Sequence, residues 1–217
     1  MTTTDALDRE TTDSYSFTVV AADQGTPSLN TSRGVTVTIT DANDNNPQFD
    51  AMDLEWTISE STPVSTVIGQ LTASDSDLGA AASISFSLVQ VSPVGAEVVF
   101  SIHAASGNVS VSRYLDFEEH TPAQYVLNVT ATDGGDPSLS QTTQVTVILT
   151  DENDNSPVLF DGIGTVLVPE NTAVGSTLFT VNGSDADSGA FGTITFGGAV
   201  SPDDGRFAVH SNGSVTV

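Results

Sequence analysis

Seven residues, Asp151-Glu152-Asn153-Asp154-Asn155-Ser156-Pro157, concentrate oxygen chemistry. Three carboxylates and two carboxamides fill the first five positions, with no basic residue among them. Like charges so close repel unless a cation sits among them. Nearly the same run stands 110 residues earlier as Asp41-Ala42-Asn43-Asp44-Asn45-Asn46-Pro47. In an extended segment alternate side chains point to opposite sides. Asp41 and Asn43 then face one way and Asp44 the other, and the carbonyls of Ala42 and Asn45 stay available. Every donor is a hard oxygen; the chain has no cysteine, and no histidine lies near either run. Such a set suits calcium, which takes about six to eight oxygens in a flexible shell. It suits zinc or copper poorly. The proline favours extended backbone in the residue before it and can open a strand. Each run therefore reads as a metal-binding linker that feeds a new β element.

The elements that would position these runs repeat with them. Ala21-Ala22-Asp23-Gln24-Gly25-Thr26-Pro27-Ser28-Leu29 recurs as Ala131-Thr132-Asp133-Gly134-Gly135-Asp136-Pro137-Ser138-Leu139. Ile58-Ser59-Glu60 recurs as Val168-Pro169-Glu170, and Asp75-Ser76-Asp77-Leu78-Gly79 as Asp185-Ala186-Asp187-Ser188-Gly189, all at an offset of 110. Leu7-Asp8-Arg9-Glu10 matches Leu115-Asp116-Phe117-Glu118 at an offset of 108. A period of this size is that of one small β-sandwich. Between the motifs, Val35, Val37 and Ile39 alternate with threonines, as do Val145, Val147 and Leu149 with polar or smaller neighbours. Tyr125, Leu127, Val129 and Ala131 form another alternating set, and Ile84, Phe86 and Leu88 alternate with serines. Period-2 patterning by β-branched and aromatic residues, bounded by Gly, Pro, Asn and Asp, predicts half-buried strands. No helix of three turns is predicted.

Charge is the compositional outlier. The chain of 217 residues carries 28 acidic against 4 basic side chains, a net charge of −24. That excludes nucleic acid and disfavours direct contact with an anionic membrane. A hydrophobic share of 38%, rich in Val, Ile and Phe, opposes the disorder that so large a charge would otherwise suggest. Without cysteine no disulfide can hold the fold. The N-terminus lacks the apolar core of a signal peptide, and no run of about 18 apolar residues is present to span a membrane.

Together these motifs resemble a cadherin ectodomain fragment, a set of tandem cadherin repeats. The likeness covers essentially the whole chain, and five motifs recur in the family's order: the strand A Glu, Asp-x-Asp, Leu-Asp-x-Glu, Ala-x-Asp-x-Gly-x-Pro and Asp-x-Asn-Asp-Asn. The resemblance implies an all-β fold of tandem Ig-like seven-strand Greek-key sandwiches joined by calcium-binding linkers. It divides the chain into residues 1–45, the C-terminal part of one repeat, 46–155, a complete repeat, and 156–217, the N-terminal part of a third. Both outer repeats are then incomplete, and the first segment is expected to be poorly ordered alone. In the family each linker holds three calcium ions. Carried over, the first linker would use Asp8, Glu10, Asp41, Asn43, Asp44, Asp75, Asp77 and Asp133, with carbonyls of Ala42, Asn45 and Ala81. The second would use Glu60, Asp116, Glu118, Asp151, Asn153, Asp154, Asp185 and Asp187, with carbonyls of Glu152, Asn155 and Phe191. Ala81 and Phe191 stand where the family usually has Asn. Seven acidic side chains per linker account for half of the 28.

The function implied is calcium-dependent cell–cell adhesion by an extracellular part of a plasma-membrane protein, its partner another cadherin-type ectodomain, homophilic or heterophilic. The alternative is a calcium-stabilised spacer array with no adhesive partner. An enzyme is not expected: His103, His120 and His210 share no neighbourhood, and no Ser-His-Asp or HExxH arrangement appears. EF-hand spacing fails, with Asn46 or Ser156 where glycine belongs and Met52 or Gly162 where the bidentate Glu belongs. Glu60 on its own reads as a solvated strand-edge residue and Trp56 as a packing residue. Five Asn-x-Ser/Thr sequons begin at Asn30, Asn108, Asn128, Asn182 and Asn212.

Overall fold

The computed structural model describes residues 6–93, 97–119, 123–160, 162, 164–198 and 205–217. His120 lies outside them. The described residues are all β, without helix. They group into two compact units, one of residues 1–56, 64–113 and 125–147 and one of 57–63, 114–124 and 148–217.

In the first unit, β1 (Ser14–Ala22) and β2 (Asn30–Thr38) form an antiparallel hairpin paired along its whole length, from Ser14 opposite Thr38 to Ala22 opposite Asn30. Its apolar residues alternate as expected, yet Tyr15, Phe17, Val19 and Val37 are exposed. Among the described residues this sheet has two strands and nothing covering either face.

The core lies further along the chain. The strands are β3 (Gln48–Phe49), β4 (Leu54–Ser59), β5 (Val67–Gln70), β6 (Ala73–Ser74), β7 (Ser85–Ser92), β8 (Phe100–Ile102), β9 (Asn108–Val111), β10 (Gln124–Thr132) and β11 (Ser140–Thr150). One sheet has the order β4-β11-β10-β7; facing it are a three-stranded sheet, β5-β9-β8, and the pair β3-β6. β3 and β4 are two parts of one run that changes sheet, as β5 and β6 are. The alternation in β10 is strict: Tyr125, Leu127, Val129 and Ala131 are buried and their neighbours half-buried. Val145, Val147 and Leu149 of β11 are buried beside them. The Tyr125 ring meets Phe100 edge-on at 5.3 Å, and Phe49 meets Phe86 at 6.1 Å, which ties the two layers together. Each such side chain taken from water contributes about 1.5–3 kcal/mol. Trp56 is half-buried with its ring on the bare backbone of Gly69, where an added Cβ would lie 2.4 Å from a ring carbon.

The second unit holds a pair, β12 (Val158–Leu159) with β14 (Gly183–Ser184), and a three-stranded sheet in the order β13 (Thr177–Thr180), β16 (Ser214–Thr216), β15 (Ala208–Val209). It repeats the β3-β6 pair and the β5-β9-β8 sheet of the first.

The repeat extends to turn geometry. Gly107 sits at φ 68° and donates its N–H to the His103 carbonyl, while its own carbonyl accepts from Leu71. Gly213 sits at φ 81° and makes the same two bonds, to His210 and from Val181. A Cβ at Gly107 would lie 2.1 Å from the Leu71 carbonyl oxygen. Gly107→Ala is therefore expected to destabilise the fold by on the order of 1–3 kcal/mol, seen as a lower urea midpoint. An unchanged midpoint would mean that this turn moves freely.

Candidate metal centres

Strand ends and the two acidic runs build two clusters, one within each unit. In the first, the linker leaves β2 at Asp41. The Leu78 N–H donates to Asp41 Oδ2 at 2.8 Å, and Arg9 Nε donates to Asp41 Oδ1. Arg9 also pairs with Glu10 and donates to the Ser76 carbonyl at 2.8 Å. Asn43 donates its amide to the Pro137 carbonyl at 2.7 Å, which leaves its Oδ1 buried without a partner. Asn45 binds Asp77 twice, from its backbone N–H at 3.2 Å and from its side-chain amide at 2.7 Å. Asp77 in turn donates its N–H to Asp75 Oδ1 at 2.9 Å, and Asp75 Oδ2 is buried and unpartnered. Carboxylate oxygens of Glu10, Asp41 and Asp77 lie within 4.8 Å of one another.

In the second cluster the same frame recurs. Ser188 donates N–H and Oγ–H to Asp151 Oδ2 at 2.7 and 2.6 Å. Asn155 donates its N–H and its amide to Asp187 Oδ1 at 3.2 and 2.9 Å, and Asp187 N–H donates to Asp185 Oδ1 at 3.1 Å. The Asp154 N–H bonds the Glu152 carbonyl as the Asp44 N–H bonds that of Ala42, both at 3.0 Å. Glu60, the supposed edge residue, is only 5% exposed. It accepts from Phe117 N–H at 2.6 Å and from Glu152 N–H at 2.8 Å. Two trios of carboxylates converge within 4.8 Å: Glu60, Glu118 and Asp154, and Glu118, Asp151 and Asp187. Glu118 Oε1, Asp151 Oδ1 and Asp187 Oδ2 are buried without a hydrogen-bond partner; Asp187 itself is 7% exposed.

Other expected donors lie outside these trios. Asp8 caps the turn after it, accepting from Glu10 and Thr11. Asp133 is buried and accepts from Gly135 and Leu139. Asp44 accepts the Asn45 amide at 2.9 Å and Asp116 accepts Glu119 N–H at 2.8 Å. Ala81 is buried; Asn153 and Phe191 are exposed. Leu78, Ser188, Arg9 and Gly135 belong to the clusters although the sequence did not mark them. Leu78 and Ser188 act through backbone N–H, which leaves no signature in residue type.

Local electrostatics follow the frame. Burial pushes the Glu118 carboxyl up to about 7, and the negative charges of Glu60 and Asp151 add to the effect. Asp151 is held low by the Ser188 hydroxyl, and Asp41 by Leu78 N–H and then Arg9. Burial alone would raise Asp133, but the Gly135 and Leu139 N–H groups and the Asn43 amide outweigh it and hold it low. Five buried side-chain oxygens stand without partners in these two places, and a buried unpaired oxygen is costly. All donors are hard oxygens, so the set fits calcium.

Comparison with known proteins adds the relationship. The cadherin domain family matches residues 54–150. Human protocadherin gamma-B6 is 34% identical over 218 residues, covering 96% of the chain and 23% of that protein. The Caenorhabditis elegans cadherin EGF LAG seven-pass G-type receptor fmi-1 is 38% identical over 190 residues, covering 88% of the chain and 7% of that protein. The structure of protocadherin gamma C5 EC1-3 superposes with a TM-score of 0.77 at 30% identity, over 97% of this chain and 69% of that one. The chain belongs to the cadherin family. It spans less than a quarter of the length of either curated relative. Within this cadherin the two clusters share one hydrogen-bond frame 110 residues apart.

Two outcomes are expected. The folded, metal-free chain keeps the Glu118 proton that the unfolded chain, with its carboxyl near 4.5, gives up. Stability in chelator is then fully present below pH 4.5 with respect to this group and is lost as pH rises through about 7. E118Q should flatten that slope in pH-dependent melts. Separately, a Cβ on Gly135 would lie 2.1 Å from the Asn43 amide nitrogen. G135A should thus expose the Asn43–Pro137 contact, read as faster hydrogen exchange in the first linker with the second unchanged.

Proposed function

We propose that this chain is a calcium-dependent cell–cell adhesion segment, part of the extracellular region of a plasma-membrane protein. Its repeats are residues 46–155 and the partial repeats 1–45 and 156–217. Supporting the reading most directly is the twice-built set of buried, unpartnered carboxylate and amide oxygens at the linkers. Asp8, Glu10, Asp41, Asn43, Asp44, Asp75, Asp77 and Asp133 would hold calcium in the first linker, with carbonyls of Ala42, Asn45 and Ala81. Glu60, Asp116, Glu118, Asp151, Asn153, Asp154, Asp185 and Asp187 would hold it in the second, with carbonyls of Glu152, Asn155 and Phe191. Calcium supplies the positive charge that lets these pooled carboxylates stay ionised and close together.

The chain's own residues do the rest. Backbone N–H groups of Leu78, Ser188, Phe117 and Glu152 aim the carboxylates. Asn45 and Asn155 fasten each linker to the Asp-x-Asp loop that follows it. Fastening of linker to loop is what stiffens the array, so that distal repeats can meet another cadherin-type ectodomain. Extracellular calcium modules bind with Kd of about 10⁻⁴–10⁻³ M, so the sites fill outside the cell and empty inside.

Calcium at tenfold over Kd should stabilise the chain by about 1.4 kcal/mol per ion. A higher melting temperature in calcium than in chelator, and slower proteolysis near Asp151, are the expected results. Superimposable melts in the two buffers would remove the proposal. Beads coated with the full ectodomain should aggregate in calcium; beads that stay dispersed would leave a spacer role instead.

A further inference from the structure

The two clusters share their frame but differ at one position that carries charge. Arg9 stands where the second cluster has Phe117, between the Asp and the Glu of the Leu-Asp-x-Glu motif. All four basic residues of the chain are arginines, and this one points into an acidic cluster. Its guanidinium binds Asp41 Oδ1, Glu10 Oε1 and the Ser76 carbonyl, and its side chain is only 14% exposed. The equivalent oxygens of the second cluster, Asp151 Oδ1 and Glu118 Oε1, are buried and have no partner. The same two carboxylates are therefore satisfied by a tethered cation in one place and left open in the other.

We propose that Arg9 is a built-in counter-ion of the first linker, which keeps Glu10 and Asp41 together without metal and must be displaced before a divalent cation can take their oxygens. The inference rests on the calcium reading above and goes beyond it, because it makes the two linkers unequal. A planar guanidinium with several N–H donors fits paired carboxylates well. One oxygen cannot serve Arg9 and a metal ion at once. Occupation by Arg9 also removes one unit of negative charge from the cluster that would attract the ion. The second linker has no such competitor, and Phe117 contributes only its backbone N–H, to Glu60. The second linker thus fills at lower calcium, while the first holds its shape when calcium falls.

Each cluster has its own reporter: the Leu78 amide donates to Asp41 and the Ser188 amide to Asp151. Calcium chloride titrated into the isotope-labelled chain, followed at these two amides by NMR, gives a midpoint for each linker. The wild type should show the Ser188 midpoint below that of Leu78. R9Q should lower the Leu78 midpoint by about fivefold, the size of an ion pair worth about 1 kcal/mol, and should lower the melting temperature in chelator. R9K, which keeps the charge without the fork, should fall between. F117R should raise the Ser188 midpoint and leave Leu78 unchanged. A Leu78 midpoint that is unchanged or raised in R9Q, or a Ser188 midpoint unmoved by F117R, overturns the proposal while the calcium reading stands. Calcium that shifts neither amide in the wild type overturns both.

Discussion

Carboxylates gathered into a small buried space must be given positive charge, and the linkers are organised around that need. Each uses the same local solution. One oxygen of a carboxylate is tied to a backbone N–H, and the other is left facing the cluster. Asp75 is tied through Oδ1 to Asp77 N–H and free at Oδ2; Asp151 is tied through Oδ2 to Ser188 and free at Oδ1; Asp187 is tied through Oδ1 to Asn155 and free at Oδ2. The tie sets the direction of the carboxylate at modest energetic gain. The free oxygen is unfavourable where it stands, because water is excluded and no donor replaces it. Glu118 illustrates the alternative response, since burial beside other carboxylates favours its protonated form near neutral pH.

The sandwich makes this convergence unavoidable. Glu60 follows the end of β4, Glu118 lies between β9 and β10, and Asp151 follows β11. These positions are far apart in sequence and meet only because strand register brings those ends to one place. Buried alternation in β10 and β11 fixes the register, since a slip of one residue would turn Leu127 and Val147 outward. Core packing and metal chemistry are therefore coupled through strand ends rather than through direct contact.

Much of this was legible in the sequence, and the reasons are physical. Oxygen donors come in runs, and strand faces alternate, so both the linkers and the core of β10 could be read. What alternation cannot tell is whether a face will be covered. Val37 and Val147 have the same pattern at the same repeat position, yet one is exposed and the other fully buried. A hairpin supplies its own hydrogen bonds but not the opposing sheet. Glu60 was misjudged for a related reason. Its burial depends on donors from Phe117 and Glu152, distant residues that contribute only backbone N–H. Gly135 was read as a turn residue; that its missing side chain makes room for Asn43 is a fact of three dimensions.

Repetition gives the comparison between linkers its force. Asn45 and Asn155, Asp77 and Asp187, and Asp44 and Asp154 make matching bonds 110 residues apart. With the frame held constant, a difference in behaviour must come from the few side chains that differ. Ser188 adds a hydroxyl to Asp151 that Leu78 cannot give Asp41. That extra bond, like Arg9 opposite, favours the ionised carboxylate. The two linkers thus reach the same end by unlike means: one by a neutral donor that leaves the second oxygen open, the other by a full charge that covers it. Motif spacing cannot separate these cases, because the residues that decide them sit at the variable positions of the motif.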